Sequence, residues 1–231
     1  MGCHRKPSVL PVQCRTLRTL LECVVETAAD AAAAERAGAA RLELCVRLDL
    51  GGVTPPGALI ERVIAGVDVP VFVMIRPRGG DFVYTEDEFS AMERAIDGAR
   101  ARGAHGIVLG ILHPDARVDV ERTRRLVERA AALPVTFHRA FDAVPDQAAA
   151  MEDVTDAGAQ RILTSGAAAT ALDGAERLAH LVRQAAGRLT ILAGGGVRAH
   201  NVREIVARSG VHEVHARYED EAATRALAGL L

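Results

Sequence analysis

The sequence predicts a single-domain α/β fold, a closed (β/α)8 TIM barrel, and three observations carry that expectation. Eight short β-rich runs recur along the 231 residues, separated by Ala-, Glu- and Arg-rich stretches with helical spacing. They follow one another at roughly 21 to 36 residues, the step of a strand plus a crossover helix. A joint is repeated: AGAARLEL from 37, ARGAHGIVL from 101 and DAGAQRIL from 156 each place a glycine at a helix end before a short link into an apolar strand. ARSGVHEVHA from 207 is a weaker fourth copy. Finally, the first run and its sequel, LLECVVETAADA, contain no glycine, whereas an open doubly wound sheet usually begins with a Gly-rich dinucleotide turn.

The elements are justified in turn. Leu20–Val25 and Arg41–Val46 are apolar runs interrupted by Glu22 and Glu43. Pro70–Arg76 and Gly106–Leu112 are rich in Val, Ile and Leu, as strands covered on both faces require. Between them, TEDEFSAMERAIDGARARG opens with a Thr85-x-x-Glu88 capping box and closes at Gly103, which marks a helix. Pro134–Arg139, Arg161–Ser165, Leu189–Ala193 and Glu213–Ala216 complete the set, and a short helix over 219–230 ends the chain. Residues 1–19 are expected to be a flexible leader and 20–231 the barrel domain, with a shortened C-terminal helix.

Composition excludes several functions. A formal net charge of −2 and seven aromatic residues (five Phe, two Tyr, no Trp) give neither the field nor the stacking platforms of a nucleic-acid binder. No apolar stretch is long enough for a membrane span, and the N-terminus lacks the apolar core of an export signal, so a cytoplasmic protein is expected. Cys3, Cys14, Cys23 and Cys45 lack the spacing of a disulfide scaffold and are expected to be reduced. Lys6, in the leader, is the only lysine among 28 basic residues. Schiff-base chemistry needs an amine on a rigid element beside the substrate, so a lysine aldolase is excluded.

In such barrels the site is built where the strands end at their C-terminal edge. Strand 3 ends in Arg76-Pro77-Arg78-Gly79-Gly80-Asp81, which reads as an anion-binding loop: Arg76 shares a face with Met74, pointing into the barrel mouth, and the glycines allow tight backbone. The plainer alternative is that these arginines neutralise acids such as Glu43 and Asp81. Strand 7 runs into Gly194, Gly195 and Gly196, whose amides are suited to a phosphate or carboxylate, unless the glycines serve packing alone. Thr164 and Ser165 after strand 6 would add to that site, with Arg139. Glu22 and Glu43 are carboxylates among apolar neighbours, costly unless paired or protonated, and with His138 and Asp142 they are the candidates for proton transfer. For His138 the plainer reading is a buried histidine bonded to a carboxylate. His105, His180 and His212 fall on links or outer helices, His113 and Asp115 on the rim, and His215 inside strand 8 is left open.

Taken together, LELCVRLDLGGVTPP, IRPRGGDFVY, TFHRAFD, RILTSG and ILAGGGV resemble the CutC family, over about residues 20 to 216 and in order. The resemblance implies a cytosolic TIM barrel, dimeric or larger, with a role in copper homeostasis. It implies copper as Cu(I), held by cysteines of the first two strands; otherwise no cofactor is evident. Cys45 matches the second of those cysteines. The first does not match, because the family has Glu-x-Cys where this chain has Glu22-Cys23, and a one-residue shift turns Cys23 to the opposite face. Cys3, His4 and Cys14 of the leader are further soft donors, and Arg217 places a large cation after strand 8. The expected partner is therefore a copper ion or a small anionic molecule, with no nucleic acid and no membrane. Three functions stand side by side: copper handling; a lysine-independent isomerase, epimerase or lyase acting on an anionic or phosphorylated metabolite; and an oligomeric scaffold with a vestigial site.

Overall fold

A computed structural model describes residues 19–231. Strands β1 (Leu20–Val25), β2 (Arg41–Leu44), β3 (Val71–Met74), β4 (Gly106–Leu109), β5 (Val135–Phe137), β6 (Arg161–Thr164), β7 (Thr190–Ala193) and β8 (Glu213–Arg217) pair in sequence order as a closed parallel barrel. Helices α1 (Ala28–Arg36), α2 (Gly57–Ile64), α3 (Glu86–Ala101), α4 (Val120–Ala130), α5 (Gln147–Asp156), α6 (Ala175–Ala185), α7 (Val202–Ser209) and α8 (Glu221–Ala228) alternate with them. The expected fold is the observed one, with several strands shorter than their apolar runs, because Cys45, Ile75 and Ile111 lie just beyond regular pairing yet remain buried. Residues 1–18 of the leader, with Lys6, Cys3, His4 and Cys14, lie outside the described residues.

The repeated joint has one cause. Gly38, Gly103 and Gly158 all adopt positive φ, and after each the next amide bonds back five residues: Ala39 to Ala34, Ala104 to Ala99, Ala159 to Val154. This is the glycine-terminated cap that satisfies the last carbonyls of a helix and turns the chain into the next strand. The weaker copy at Gly210 differs, with only the Gly210 amide returning to Val206. At the other end of α3, the Thr85 and Glu88 capping box forms as expected.

Alternation along the strands separates two cores. Leu21, Cys23, Val25, Leu42, Leu44, Val73 and their counterparts pack beneath the helices, so Cys23 is turned away from the barrel interior as expected. The interior holds an apolar group of Val24, Cys45, Phe72, Met74 and Val108. Below it lies a layer of charge that the sequence reading did not anticipate. Register places Glu22 beside Arg41 on one side and His215 on the other. Arg41 donates to Glu22 through Nε and to Glu213 through Nη2 (2.5 Å), and Arg161 closes the chain onto Glu213 (2.7 Å). Phe72 has the Arg41 and Arg161 guanidinium carbons 5.0 and 5.5 Å from its ring centroid. The barrel floor is thus plugged by paired ions around one aromatic ring.

Candidate functional site

A cavity of about 280 Å³ occupies the C-terminal mouth. Its polar wall is Glu43, Arg76, His138, Arg139 and His215; Val24, Leu48, Met74, Phe82 and Leu163 form its apolar wall. Larger grooves run along the outer surface, one of about 720 Å³ beside Asp173, Arg177, His180 and Gln184, but they include none of Glu43, Arg76, His138 and His215.

Arg76 is buried, and its guanidinium is held by backbone: Nη1 donates to the carbonyls of Leu50 (2.9 Å) and Gly52 (3.0 Å), and Nη2 to Gly80 (2.8 Å). It lashes the loop after β2 to the loop after β3, and both roof the cavity. The plainer alternative, neutralisation of Glu43 or Asp81, does not describe Arg76: its partners are carbonyls, and Nε has no partner among the described residues. The paired glycines serve this geometry. A side chain at Gly79 would lie 2.9 Å from Leu50 Cβ, and Gly80, at φ 87°, turns its carbonyl back to Arg76. Replacing Arg76 by lysine is expected to loosen residues 47–52, since one ammonium cannot span three carbonyls on two loops. Hydrogen exchange of the Gly51 and Gly52 amides at least about tenfold faster than in the wild type would show it, corresponding to about 1.4 kcal/mol of lost protection; unchanged exchange would refute it.

Arg78, expected with Arg76 to bind an anion, follows the plainer alternative and neutralises acids. It donates to Glu88 (2.6 Å) and Asp81 (2.9 Å), stacks on Tyr84 and does not line the cavity.

The loop after β6 holds an anion of its own. The Asp142 carboxylate accepts from the Thr164 hydroxyl (2.5 Å), from the amides of Ser165 and Ala167 (3.1 Å each) and from Arg139 Nε (2.7 Å). Thr164, Ser165 and Arg139, expected to bind an external anion, are largely committed to Asp142, and Asp142 is fixed as their acceptor. Arg139 retains a place at the cavity rim. In the loop after β7, Gly194 has a packing reason: a Cβ there would lie 2.5 Å from Leu163 Cδ1. The carbonyls of Gly195 and Gly196 accept from the Ala171 amide and Asn201 Nδ2, and neither bond uses a Gly195 or Gly196 amide.

His138 follows β5 and is buried. Its Nδ1 accepts from the Ala140 amide (3.2 Å), and burial, reinforced by the Arg76 charge, brings its pKa down to about 3. The ring is therefore neutral with its proton on Nε2, a donor with no protein acceptor among the described residues. The carboxylate partner of the plainer reading is not there.

Glu43 is buried, and its Oε2 likewise has no partner among the described residues. Burial pushes its carboxyl up to about 7; His215 opposes this and the Glu22 charge adds to it. Glu22 shows the reverse balance. Burial raises it, but the His215 hydrogen bond (2.8 Å) and Arg41 bring it down to about 2. The His215 imidazole, which burial alone would depress, is held above its ordinary value by Glu43 and Glu22. His215, left open in sequence, belongs to the site, and Arg41 beneath it was not singled out. The available signal was the two-residue spacing of Arg41 and Glu43 and the inward phase of His215, both legible once the strand register is known.

The soft-metal expectation is tested by the donor set. Cys45 faces the interior: a Cβ on Gly52 would touch both its sulfur (3.1 Å) and the Met74 methyl (3.7 Å). Burial first, then Glu43 and Glu26, hold its thiol far above the usual range, and Cys23 is on the other face. A two-thiolate Cu(I) centre is not assembled by the described residues. Glu22, Glu43 and His215 offer ligand atoms within 4.8 Å of one another, but that set is hard to borderline, and both Glu22 oxygens already accept, from Arg41 and His215.

No helix among the described residues is long and apolar enough to cross a membrane. The CutC family model matches residues 19–219. A Caulobacter vibrioides protein named family protein CutC is 46% identical over 201 residues, covering 87% of this chain and 82% of its own length. The human copper homeostasis protein cutC homolog is 44% identical over 196 residues, covering 85% of this chain and 72% of its own. The crystal structure of the putative copper homeostasis protein CutC from Streptococcus agalactiae superposes with a TM-score of 0.81 at 34% identity, over 85% of this chain and 97% of that one. By fold, motif order and relatives alike, this chain belongs to the CutC family.

Proposed function

We propose that the barrel mouth is the active site of an enzyme that moves a proton on a small anionic carbon acid, an isomerase, epimerase or lyase that works without lysine. One observation carries this reading. Glu43 Oε2, Arg76 Nε and His138 Nε2 are buried polar atoms without partners among the described residues, and all three residues line one cavity. Such an atom costs about 1 to 3 kcal/mol when left unpaired, and a polar ligand between them would remove the cost. The roles follow from the chemistry of each group. Glu43, near neutrality, takes a proton from the carbon beside a carbonyl, breaking the C–H bond and forming O–H. The electron pair passes to the carbonyl oxygen, where the neutral His138 donates Nε2–H. Among the described residues Arg76 has no carboxylate counter-charge, so its field favours the negative group of the substrate.

Copper handling is the second reading, supported by the names of the human and mouse relatives and by Cys45 beside Met74 in the interior. The two readings separate in native mass spectrometry of gently purified protein, followed by denaturation and identification of anything released. The enzyme reading expects a stoichiometric carboxylated or phosphorylated metabolite. Copper in the same ratio, lost in Cys45→Ser, with no organic ligand, would overturn it.

A further inference from the structure

The donors that the cavity wall has left to give define the anion it would take. Arg76 carries five N–H groups and spends three on the carbonyls of Leu50, Gly52 and Gly80, so at most two remain, Nε–H among them. Two donors on one planar guanidinium match the two oxygens of a carboxylate. A phosphate monoester presents three oxygens and a charge of about −1.5 to −2. Arg139, the second cation of the wall, is already paired: its Nε donates to Asp142 (2.7 Å) and its Nη2 to Ser165 (3.2 Å). Glu43 and His215 add a carboxyl and an imidazole to the wall, neither of them a fixed cation. Backbone does not make up the difference. Phosphate sites are built from free amides at glycine-rich loops and helix N-termini. No first turn of α1 to α8 lines this cavity, nor does the glycine run after β7. Gly51, which does line it, donates its amide to Leu48 (3.1 Å), and Ser165 and Ala167 give theirs to Asp142.

The rest of the wall narrows the ligand further. The Phe82 ring centroid lies 5.0 Å from the Arg76 guanidinium carbon and 5.0 Å from the His138 ring centroid, so one aromatic side chain positions both groups. His138 Nδ1 accepts from the Ala140 amide, which leaves Nε2–H as a donor to a neutral oxygen. Leu48, Met74 and Leu163 offer apolar contact only. The volume of about 280 Å³ falls below the roughly 300 to 1,000 Å³ of pockets for drug-sized ligands. We infer that the ligand of the barrel mouth is a short-chain oxo acid, a carboxylate and not a phosphate ester, with its carboxylate on the free edge of Arg76, its ketone oxygen on His138 Nε2 and an apolar tail against Leu48, Met74 and Leu163. The inference rests on the reading of the mouth as the site of an anionic carbon acid and reduces its anion to one class. In this orientation the carbon beside the ketone is left to Glu43.

The test is methyl NMR of the full chain carrying ¹³C-methyl methionine, since Met74 lies in the cavity wall and is one of only four methionines. Its signal is the one lost in Met74→Leu; should that variant not fold, through-bond assignment of the wild-type methyl gives the same reading. The probes are α-ketoisocaproate; pyruvate, which lacks the tail; isobutyl methyl ketone, which has a methyl in place of the carboxylate; and dihydroxyacetone phosphate. α-Ketoisocaproate is expected to move the Met74 methyl saturably, with the ketone and the phosphate ester each bound at least about tenfold more weakly. In Leu48→Ala its affinity falls about tenfold through lost apolar contact, and that of pyruvate stays within about twofold. The inference is overturned by dihydroxyacetone phosphate or the ketone binding as tightly as α-ketoisocaproate, by a Met74 methyl that neither oxo acid moves, or by equal losses for both oxo acids in Leu48→Ala. Deuterium exchange at the carbon beside the ketone reports on the enzyme reading by itself. Binding as expected with no exchange sinks proton transfer and leaves the oxo-acid site standing. Exchange in dihydroxyacetone phosphate, with neither oxo acid bound, keeps the enzyme reading and sinks the oxo acid.

Discussion

Glu43→Gln is expected to reduce proton transfer by roughly 10² to 10⁴-fold, the usual contribution of a positioned acid or base, and at the same time to stabilise the folded chain above neutrality. The sign follows from linkage. The folded value for Glu43 is raised from an ordinary carboxylate's 4.5 to about 7. Its protonated form is therefore the one the fold prefers: the stability it contributes is complete below about 4.5 and is lost as pH rises through 7. His215, also raised, acts in the same direction. A shift of this size amounts to roughly 3 kcal/mol, which the neutral amide does not lose. Urea denaturation at pH 5 and pH 8 reads it directly: the wild type weakens between the two, and the variant weakens less. A variant less stable than wild type at pH 8 would show that Glu43 is held by an attraction we have not identified.

Arg41→Met works in the opposite sense. It leaves Glu22 with His215 alone and Glu213 with Arg161 alone, and removing one partner from a buried pair costs about 3 to 5 kcal/mol because a desolvated charge is left behind. Glu22 adds a pH signature. Its folded value is depressed to about 2, so in the wild type its stabilisation is present above the ordinary carboxylate value and is lost as pH falls toward 2. In the variant that acid-side loss shrinks, because less attraction remains to be lost. Chemical denaturation at pH 7 and pH 4 measures both effects, and a cost below about 1 kcal/mol at pH 7, the range of an exposed ion pair, would mean that water reaches the barrel floor.

What the sequence revealed followed from local rules. Alternation placed Cys23 outward, and glycine after a helix marked the joints, because both depend only on neighbouring residues. What it hid depended on partners distant in the chain. Arg76 looks the same whether it meets a carboxylate or the carbonyls of Leu50, Gly52 and Gly80, and only the path of the loop after β2 decides. Asp142 read as a candidate acid until the loop after β6 proved to wrap its carboxylate. His215 could be weighed only when β8 lay beside β1, 193 residues away in sequence, bringing it onto Glu22.

The plugged floor, with Phe72 between two guanidinium groups and Arg41 bonded across to Glu22 and Glu213, also governs traffic. A pocket closed below has a single doorway, so incoming and departing molecules must take turns beneath the loops lashed by Arg76. For the proposed reaction, the end product would compete directly with its own precursor for the one chamber.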